Sequence, residues 1–345
     1  MGLYQDRKNI NGKTQVPVWF MRQAGRYHDH YQNIRKNSDF VTMCKTPDLA
    51  CEITMGPMRE FDFDAAILFS DILYPLELFN MGLVYNPGPK MDMKLDSPDK
   101  LSMMKPAQSE DIYYKFQADA LKLLKKELPT DKTLLGFVGT PFTLYTYAVE
   151  GGHAGNLTDS KNGFYDGRWQ GFLEILMPSL IRNIEIQIEG GADGICLFDT
   201  AVGELDIHDF KEFPLAALKT VTKAIKAKFP NIPLTYYSKL THIDYLREIQ
   251  DDNLDVLGID WRSNLPATLK ELGSDYYIQG NIDPSHLHLP WELLEPKLAR
   301  WWQTMEGSGC DLNKWIAGLG HGVLQHTPKE NVKMTVEYIH KNFLY

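Results

Sequence analysis

The sequence predicts an α/β fold, a single (β/α)8 barrel with some distortion in its closure and a cleft at the C-terminal ends of the strands. The chain has 345 residues, of which 43% are hydrophobic, and this length is usual for one barrel with a large core. From about residue 107 onward, short apolar runs alternate with helical patterns, as in a parallel sheet covered by helices. The alternative, an open doubly wound sheet, lacks its glycine-rich fingerprint after an early strand.

The eight predicted strands are short apolar runs, most of them continuous, as in strands that are buried on both faces of a sheet. They lie at 17–20, 64–70, 134–139, 193–198, 232–237, 255–260, 275–280 and 315–319. The first of these is the weakest, which is why we expect the closure of the barrel to be distorted.

The helices are predicted from apolar residues at helical spacing and from capping signals. They lie at 46–60, at 107–128, from Phe172 to Ile188 in a helix that ends at Gly190-Gly191, at 209–229, 242–250, 266–272 and 291–306, and after the capping box Thr327-Pro328-Lys329-Glu330. Residues 74–105 are rich in Gly, Pro, Met and Asp and interrupt the alternation. We predict an excursion or lid there, with a short hairpin around Asn86-Pro87-Gly88.

Composition narrows the class of protein. The formal net charge of −9 argues against nucleic acid as a partner and requires a local concentration of cations if a polyanion is to bind. No apolar run reaches membrane-spanning length and no signal peptide is recognisable, so we expect one cytoplasmic domain over residues 1–345 that does not bind a membrane. The cysteines Cys44, Cys51, Cys196 and Cys310 form no C-x-x-C pair, which indicates neither a disulfide framework nor a thiolate metal site.

Residues 17–27, P-V-W-F-M-R-Q-A-G-R-Y, place Arg22 and Arg26 directly after the first predicted strand. A helix here would put both guanidiniums on one face, and a loop could direct backbone N–H groups at an anion. Either geometry suits carboxylates. The alternative is that both are surface arginines paired with Asp or Glu. On an acidic chain, these two residues and Arg35 are expected to form a positive site.

Polar residues follow the predicted strands, where barrel enzymes carry their chemistry. These positions are Ser70-Asp71, Gly139-Thr140-Pro141, Asp199-Thr200, Ser238-Lys239, Asp260-Trp261, Gln279-Gly280-Asn281 and Gly320-His321. For Thr140 and Asp260 a role as helix cap or turn residue is favoured. Asp71 precedes Ile72 and Leu73, so its carboxylate needs a partner in an apolar neighbourhood, either a structural arginine or a ligand.

Five segments resemble the uroporphyrinogen decarboxylase family. They are the arginine motif at 17–27, A-A-I-L-F-S-D-I-L (65–73), G-T-P-F-T-L-Y-T-Y-A-V-E-G-G (139–152), Q-G-N-I-D-P (279–284) and G-L-G-H-G (318–322). The resemblance covers almost the whole chain. It implies substrate binding by Arg22, Gln23, Ala24, Arg26, Arg35, Asp71, Tyr147, Thr200 and His321, and catalysis by Asp71, Arg22, Arg26 and Tyr147.

In that family the aspartate at the cleft floor accepts hydrogen bonds from pyrrole N–H groups, and this role is implied for Asp71. Two positions depart from the family pattern. Thr200 replaces a frequent serine, and its extra methyl group stiffens the hydroxyl-bearing side chain. The sequence His28-Asp29-His30 replaces the usual Leu-Pro-Glu and alters the loop that carries Arg35.

The implied reaction converts the four acetate arms of uroporphyrinogen into methyl groups with loss of CO2. Because an electron-rich pyrrole that is protonated on carbon can take up the released electron pair, neither a cofactor nor a metal is required. The proton donor remains open among Asp71, Tyr147, His321, an arginine and water. The family also implies a homodimer.

The sequence argues against two other classes of protein. Zinc-dependent methyltransferases of the same superfamily need a His-x-Cys element, and no histidine here has a cysteine two residues on. A non-catalytic tetrapyrrole-binding protein would keep the arginines but has no reason to keep Asp71.

Overall fold

A computed structural model describes residues 2–5, 7–86, 88–152 and 155–345. Its strands are β1 (Asn9–Ile10), β2 (Lys13–Thr14), β3 (Ala65–Ile67), β4 (Leu83–Tyr85), β5 (Pro89–Met91), β6 (Thr133–Gly139), β7 (Gly194–Asp199), β8 (Leu234–Ser238), β9 (Val256–Gly258), β10 (Tyr277–Ile282) and β11 (Trp315–Leu319). Seven of the eight predicted strands are confirmed as β3 and β6 to β11, with ends that shift by a few residues.

The helices cover the outer face of this sheet and lie mostly where helical spacing placed them. They are α1 (Asp29–Arg35), α2 (Phe40–Lys45), α3 (Pro47–Phe61), α4 (Tyr74–Leu78), α5 (Glu110–Tyr113), α6 (Lys115–Glu127), α7 (Pro141–Glu150), α8 (Thr158–Asn162), α9 (Arg168–Glu189), α10 (Ile207–Phe210), α11 (Ala216–Lys228), α12 (Ile243–Ile249), α13 (Leu265–Leu272), α14 (Trp291–Glu306) and α15 (Lys329–Asn342). A π-helical turn at Lys211–Leu215 joins α10 to α11.

The seven strands form one parallel sheet in the order β3-β6-β7-β8-β9-β10-β11. The eighth predicted strand is reduced to an isolated parallel bridge between Val18 and Ala317 of β11. On its other side, the Asp64 N–H donates to the Val18 carbonyl at 2.9 Å. The residues around Val18 therefore connect the two edges of the curled sheet, and the predicted barrel with distorted closure is confirmed.

Alternate residues of each barrel strand pack into two different apolar layers, because successive side chains leave a strand on opposite faces. On β7, Ile195 and Leu197 belong to the large layer between sheet and helices, whereas Cys196 and Phe198 belong to a smaller inner cluster. This inner cluster fills the barrel. It contains Leu3, Trp19, Met21, Ala65, Ile67, Leu135, Cys196, Tyr237, Val256 and Ile316, with Phe198 packed against it.

The N-terminal segment enters the base of the barrel. Leu3 is fully buried within the inner cluster, and the ring of Tyr4 packs against Tyr277 of β10 at 5.8 Å. Burial raises the pKa of the Tyr4 hydroxyl far above its ordinary value. The chain thus closes its own barrel at the N-terminal ends of the strands.

The excursion at 74–105 contains the predicted hairpin. Strands β4 and β5 pair antiparallel, with Tyr85 opposite Pro89, while Pro87 lies outside the described residues. The capping box predicted at 327–330 is wrong: α15 begins at Lys329 with Pro328 as its N-cap. The Thr327 hydroxyl lies instead 3.2 Å from Nε2 of His288, because this tertiary partner takes the place of the helix N–H groups.

The four cysteines are free thiols, as their spacing predicted. Within the described ranges, no helix is both long enough and apolar enough to span a membrane.

Asp64, directly before β3, ties the closing segment to the rest of the fold. One carboxylate oxygen accepts the Val18 N–H at 2.8 Å and lies 2.9 Å from Nε2 of His340. The other lies 3.5 Å from Nζ of Lys132, which is itself buried. Burial works to raise the pKa of the Asp64 carboxyl, but His340, Lys132 and the Val18 N–H outweigh it and hold this pKa below its ordinary value.

We predict that Asp64→Asn lowers the free energy of unfolding at pH 7 by about 3 kcal/mol, because it removes a negative charge that is buried against the Lys132 ammonium and the His340 ring. A carboxyl with a lowered folded-state pKa stabilises the fold above its unfolded pKa of about 3.9, and that contribution disappears as the pH falls through the folded pKa. The difference between parent and variant should therefore shrink below about pH 4. Urea unfolding of parent and variant, from pH 7 to below about pH 4, measures this difference in stability.

Asp62→Asn is the matched control. Its carboxylate lies 2.6 Å from the same Lys132 ammonium but is 69% exposed, so its loss should cost less than about 1 kcal/mol. Equal stabilities of the Asp64 variant and the parent at pH 7 would contradict the assigned role.

Candidate active site

The arginine motif forms a loop at the C-terminal rim of the barrel. Of the two geometries that the sequence left open, the helix is wrong, since the first helix begins only at Asp29. Arg22 has a φ of 59°, a left-handed conformation that costs a residue with a side chain about 1 kcal/mol. The loop is held from both sides, because Gln23 N–H donates to the Phe20 carbonyl at 3.2 Å and Val323 N–H donates to the Met21 carbonyl at 2.9 Å.

The Arg22 side chain runs across Gly322. A Cβ atom on Gly322 would lie 2.5 Å from Cδ of Arg22, so a larger residue there would displace the guanidinium. Burial raises the pKa values of Asp71 and Tyr147 and lowers that of His321. The charge of Arg22 lowers all three pKa values. Arg22 is therefore a common neighbour of three other predicted site residues, Asp71, Tyr147 and His321.

Asp71 follows β3 and is held by its own loop, since the Leu73 N–H donates to its carboxylate at 2.8 Å. Burial raises the pKa of the Asp71 carboxyl to about 6, although the Leu73 N–H, the Tyr85 hydroxyl and Arg22 oppose the rise. In the part of the chain that the structure describes, no Lys, Arg or His nitrogen lies within 4.0 Å of this carboxylate. The structural ion pair that the sequence allowed is not formed.

Tyr147 projects from α7 and is half-buried. Burial and the nearby Asp71 carboxylate raise the pKa of its hydroxyl, which Arg22 partly offsets. Thr140 is the N-cap of α7, as predicted, and its hydroxyl accepts the Thr143 N–H at 3.3 Å. Tyr145, which the family pattern does not include, is fully buried among the apolar residues of the outer layer.

Thr200 is positioned by a chain of hydrogen bonds that begins at a buried carboxylate. The Thr200 N–H donates to the Thr143 hydroxyl at 2.9 Å, and that hydroxyl donates to Asp199 at 3.1 Å. Burial raises the pKa of Asp199 to about 6, against hydrogen bonds from Thr140, Thr143 and Tyr236. Thr143 and Tyr147 are one turn apart on α7, so this helix supports both Thr200 and Tyr147.

His321 follows β11 at the rim, as the flanking glycines predicted. A Cβ atom on Gly320 would lie 2.2 Å from the backbone nitrogen of Trp261, so only glycine allows this approach. Burial, followed by the charges of Arg22, Lys239 and Arg262, lowers the pKa of His321 to about 4. The imidazole is therefore neutral at neutral pH.

Arg26 of the arginine loop and Arg35 of α1 both lie near Tyr31. Both charges act against the burial that raises the pKa of Tyr31, and the Tyr31 ring contacts Phe69 at 5.6 Å, two residues before Asp71. Within the described ranges, no carboxylate lies within 4.0 Å of Arg22, Arg26 or Arg35. All three arginines are exposed, as the alternative of surface arginines has it, but the ion pairs with Asp or Glu are not formed among the described residues.

Gln23 and Ala24 are placed differently from the arginines. The Gln23 side chain is fully buried, and its amide donates to the Ala65 carbonyl at 3.0 Å. Ala24 packs against the small cluster of Tyr31, Met43 and Ile53. The Gln23 amide thus serves the loop itself and anchors it to β3.

The His28-Asp29-His30 departure fixes α1 on α3. His28 is fully buried with Nε2 only 2.7 Å from Glu60, and His30 lies so close to Gly56 that a Cβ atom there would meet its ring at 2.4 Å. Since Arg35 is in the last turn of α1, the two histidines set the position of the helix that carries it.

Sequence reasoning missed three residues at this rim. Tyr85 lies on the hairpin, beside Asp71, and Lys239 and Arg262 lie near His321. The sequence places Lys239 at the end of a strand but indicates no role for it. Tyr85 lies in the excursion, which has neither helical nor strand periodicity. Among residues 2–5, 7–86, 88–152 and 155–345, no three His, Cys, Asp or Glu side chains form a group able to hold a metal ion.

Comparison with solved structures bears on the fold. A methyltransferase from Methanosarcina mazei matches with a TM-score of 0.75 over 97% of this chain and 95% of that chain, at 16% sequence identity. A putative vitamin-B12 independent methionine synthase from Listeria monocytogenes matches with a TM-score of 0.56, at 12% identity, over 95% of this chain and 96% of that chain. At such low identity, this likeness describes architecture rather than activity.

Sequence comparison identifies the family. A family model described as uroporphyrinogen decarboxylase (URO-D) matches residues 9–342. A uroporphyrinogen decarboxylase of Vesicomyosocius okutanii subsp. Calyptogena okutanii is 37% identical over 331 residues, which cover 95% of this chain and 94% of that protein. One from Legionella pneumophila subsp. pneumophila is 33% identical over 332 residues, covering 94% and 92%. The chain belongs to the uroporphyrinogen decarboxylase family.

Proposed function

We propose that this chain, acting as one domain over residues 1–345, removes CO2 from the four acetate arms of uroporphyrinogen III and releases coproporphyrinogen III. Family membership and the names of the relatives support the reaction. The observation that supports the proposal for this site is that cationic side chains and a carboxylate lie at one rim without pairing with each other. Among the described residues, Arg22, Arg26 and Arg35 have no carboxylate partner, and no cationic side chain lies within 4.0 Å of Asp71.

The arginines would hold carboxylate arms. A guanidinium binds a carboxylate through two parallel N–H···O bonds, which fix direction as well as charge. Because no described carboxylate pairs with these arginines, no ion pair within the described ranges has to break before an arm binds. This arrangement supplies the local positive charge that a polyanion requires on a chain with a net charge of −9.

Each decarboxylation begins when the pyrrole takes a proton on the ring α-carbon next to the carbon that bears the arm, which places positive charge on the arm-bearing carbon. The bond between the arm's methylene and its carboxylate carbon breaks, CO2 leaves, and the electron pair neutralises the cationic ring. The methylene carbon then takes a proton and the ring carbon releases one, so that each cycle consumes one proton and leaves a methyl group. The substrate is its own electron acceptor, so we expect neither a cofactor nor a metal.

Asp71 would stabilise the ring when it becomes cationic. The carboxylate lies in an apolar setting where a charge interacts more strongly than in water. With a pKa of about 6, it is ionised at neutral pH and is also the acid of this site best matched to proton exchange there. His321 is neutral under the same conditions, which suits a hydrogen bond to an arm better than delivery of a proton.

We predict that anaerobic incubation with freshly reduced uroporphyrinogen III yields products that lose CO2 stepwise until coproporphyrinogen remains, as followed by mass spectrometry. EDTA should leave the rate unchanged, because the pyrrole accepts the electron pair. Coproporphyrinogen, which has no acetate arm, serves as the unreactive control. Absence of CO2 loss would refute the proposal, and activity that EDTA abolishes and zinc restores would favour a metal-dependent transferase.

We predict that Asp71→Asn lowers kcat and kcat/KM together by roughly a hundredfold, equivalent to about 3 kcal/mol of transition-state stabilisation. The amide keeps the size of the side chain but removes the charge. In the parent protein kcat/KM should rise with pH through about 6 as the carboxylate ionises, and this rise should be absent from the variant.

Single-turnover rate and thermal midpoint should be measured on the same preparation. Asp99→Asn, an exposed carboxylate in the excursion, is the control and should keep parental rates. A variant of Asp71 that melts earlier but turns over normally would remove this residue from the mechanism.

We further propose that the protein works in the cytoplasm as a homodimer. The rim carries an exposed apolar side chain, Leu324 at 39% exposure, three residues beyond His321, and a paired rim would cover it. Sedimentation at micromolar protein should give twice the mass of 39.5 kDa. A monomer mass at that concentration would contradict the dimer.

A further inference from the structure

Lys239 occupies the turn after β8, at the same rim as Thr200 and His321. The last residue of β8 pairs in register with Asp199 of β7, so Lys239 and Thr200 are the first residues beyond two neighbouring strands. The Lys239 N–H donates to the Asp199 carbonyl at 3.0 Å. This lysine is therefore a direct neighbour of a residue already assigned to the site.

The Lys239 ammonium acts on His321. Tyr237 lies two residues earlier on β8, and its ring centroid is 6.3 Å from that of His321. Side chains two apart leave a strand on the same side. The charges that lower the pKa of His321 after burial are those of Arg22, Lys239 and Arg262.

The backbone around Lys239 is held in a strained conformation. Leu240 has a φ of 64°, which costs a residue with a Cβ atom about 1 kcal/mol. Its N–H donates at 2.9 Å to Asp260, and a Cβ atom on Gly203 would lie 2.6 Å from the Lys239 carbonyl oxygen. Such strain persists where the surroundings impose it, and it is found mainly at ligand sites.

Lys239 differs from its neighbour Arg262 in its partners. Arg262 lies 2.8 Å from an Asp260 carboxylate oxygen and stacks on Trp261 at 4.1 Å. Lys239 is half-buried, and no carboxylate among the described residues lies within 4.0 Å of its ammonium. A half-buried cation without a counter-ion is costly, and an anionic ligand would remove that cost.

The topology places Lys239 opposite the arginine loop. In the order of the sheet, three strands lie on each side of β8 before the edges are reached, and the residues around Val18 connect those edges. The arginine loop continues from these residues, so Arg22 and Lys239 face each other across the mouth of the barrel. A macrocycle with carboxylate arms around its whole circumference needs cations on both sides.

We propose that Lys239 is a substrate-binding residue that holds a carboxylate arm on the side of the mouth opposite Arg22. The identity of the ligand as a carboxylated tetrapyrrole rests on the proposed function. The position itself is a carboxylate site of this chain, formed by an ammonium on a rigid turn and flanked by Thr200 and neutral His321. It complements the arginine loop without sharing any residue with it.

The test uses Lys239→Met, which keeps length but removes charge, and Lys239→Arg, which keeps charge. The Met variant should raise KM for uroporphyrinogen about tenfold, because a hydrogen bond to a charged group contributes about 1.5 kcal/mol or more. It should weaken binding of uroporphyrin, the unreactive oxidised macrocycle, by a similar factor, while kcat changes less than about twofold. The Arg variant should recover most of the parental KM for uroporphyrinogen and most of the parental affinity for uroporphyrin.

Lys223→Met is the matched control, since Lys223 is an exposed lysine of α11, and it should match the parent. If Lys239→Met melts earlier, Lys239→Gln gives a second uncharged variant. Parental KM and uroporphyrin affinity in the uncharged variants would overturn the proposal for Lys239 while leaving the decarboxylation intact, as would a loss of kcat alone. If the parent chain does not decarboxylate uroporphyrinogen, the proposed function fails, but uroporphyrin binding still decides the role of Lys239.

Discussion

The structure keeps opposite charges close together without letting them pair. The charge of Arg22 lowers the pKa of Asp71, yet the two side chains form no ion pair. The left-handed backbone at Arg22, the guanidinium path across Gly322 and the Leu73 N–H on Asp71 hold the two groups in place. A charge that is not neutralised internally keeps its full interaction for a ligand, and a group that is already positioned pays no reorganisation energy when charge develops on that ligand.

The two ends of the barrel differ in how their charged side chains are partnered. At the N-terminal end, Asp64 is surrounded by His340, Lys132 and a backbone N–H, so its charge is neutralised within the protein. At the C-terminal end, Arg22, Arg26, Arg35 and Lys239 lack such partners among the described residues. This division matches the general behaviour of barrels, in which the N-terminal face contributes stability and the C-terminal face carries chemistry.

The strands and most helices could be predicted because burial on one or two faces leaves a regular pattern in the sequence. The distorted closure could be predicted from the weak run at 17–20, but its reduction to a single bridge could not, since the pairing depends on the Asp64 side chain and on one contact with β11. The loop around Arg22 remained undecided because no side-chain pattern specifies a left-handed residue. The predicted capping box failed at Thr327, whose hydroxyl found a tertiary partner, and the contribution of Tyr85 depends on a hairpin folding over Asp71.

Leu3 closes the N-terminal end of the barrel, and the inner cluster to which it belongs fills the interior. A substrate is therefore expected to bind at the rim that carries Arg22 and Lys239. Four arms cannot reach one fixed Asp71 in a single pose, so the macrocycle has to turn within the mouth, or leave and return, between successive losses of CO2. In the proposed reaction, the strength with which the rim holds an arm therefore sets a compromise between retaining the macrocycle and letting it turn.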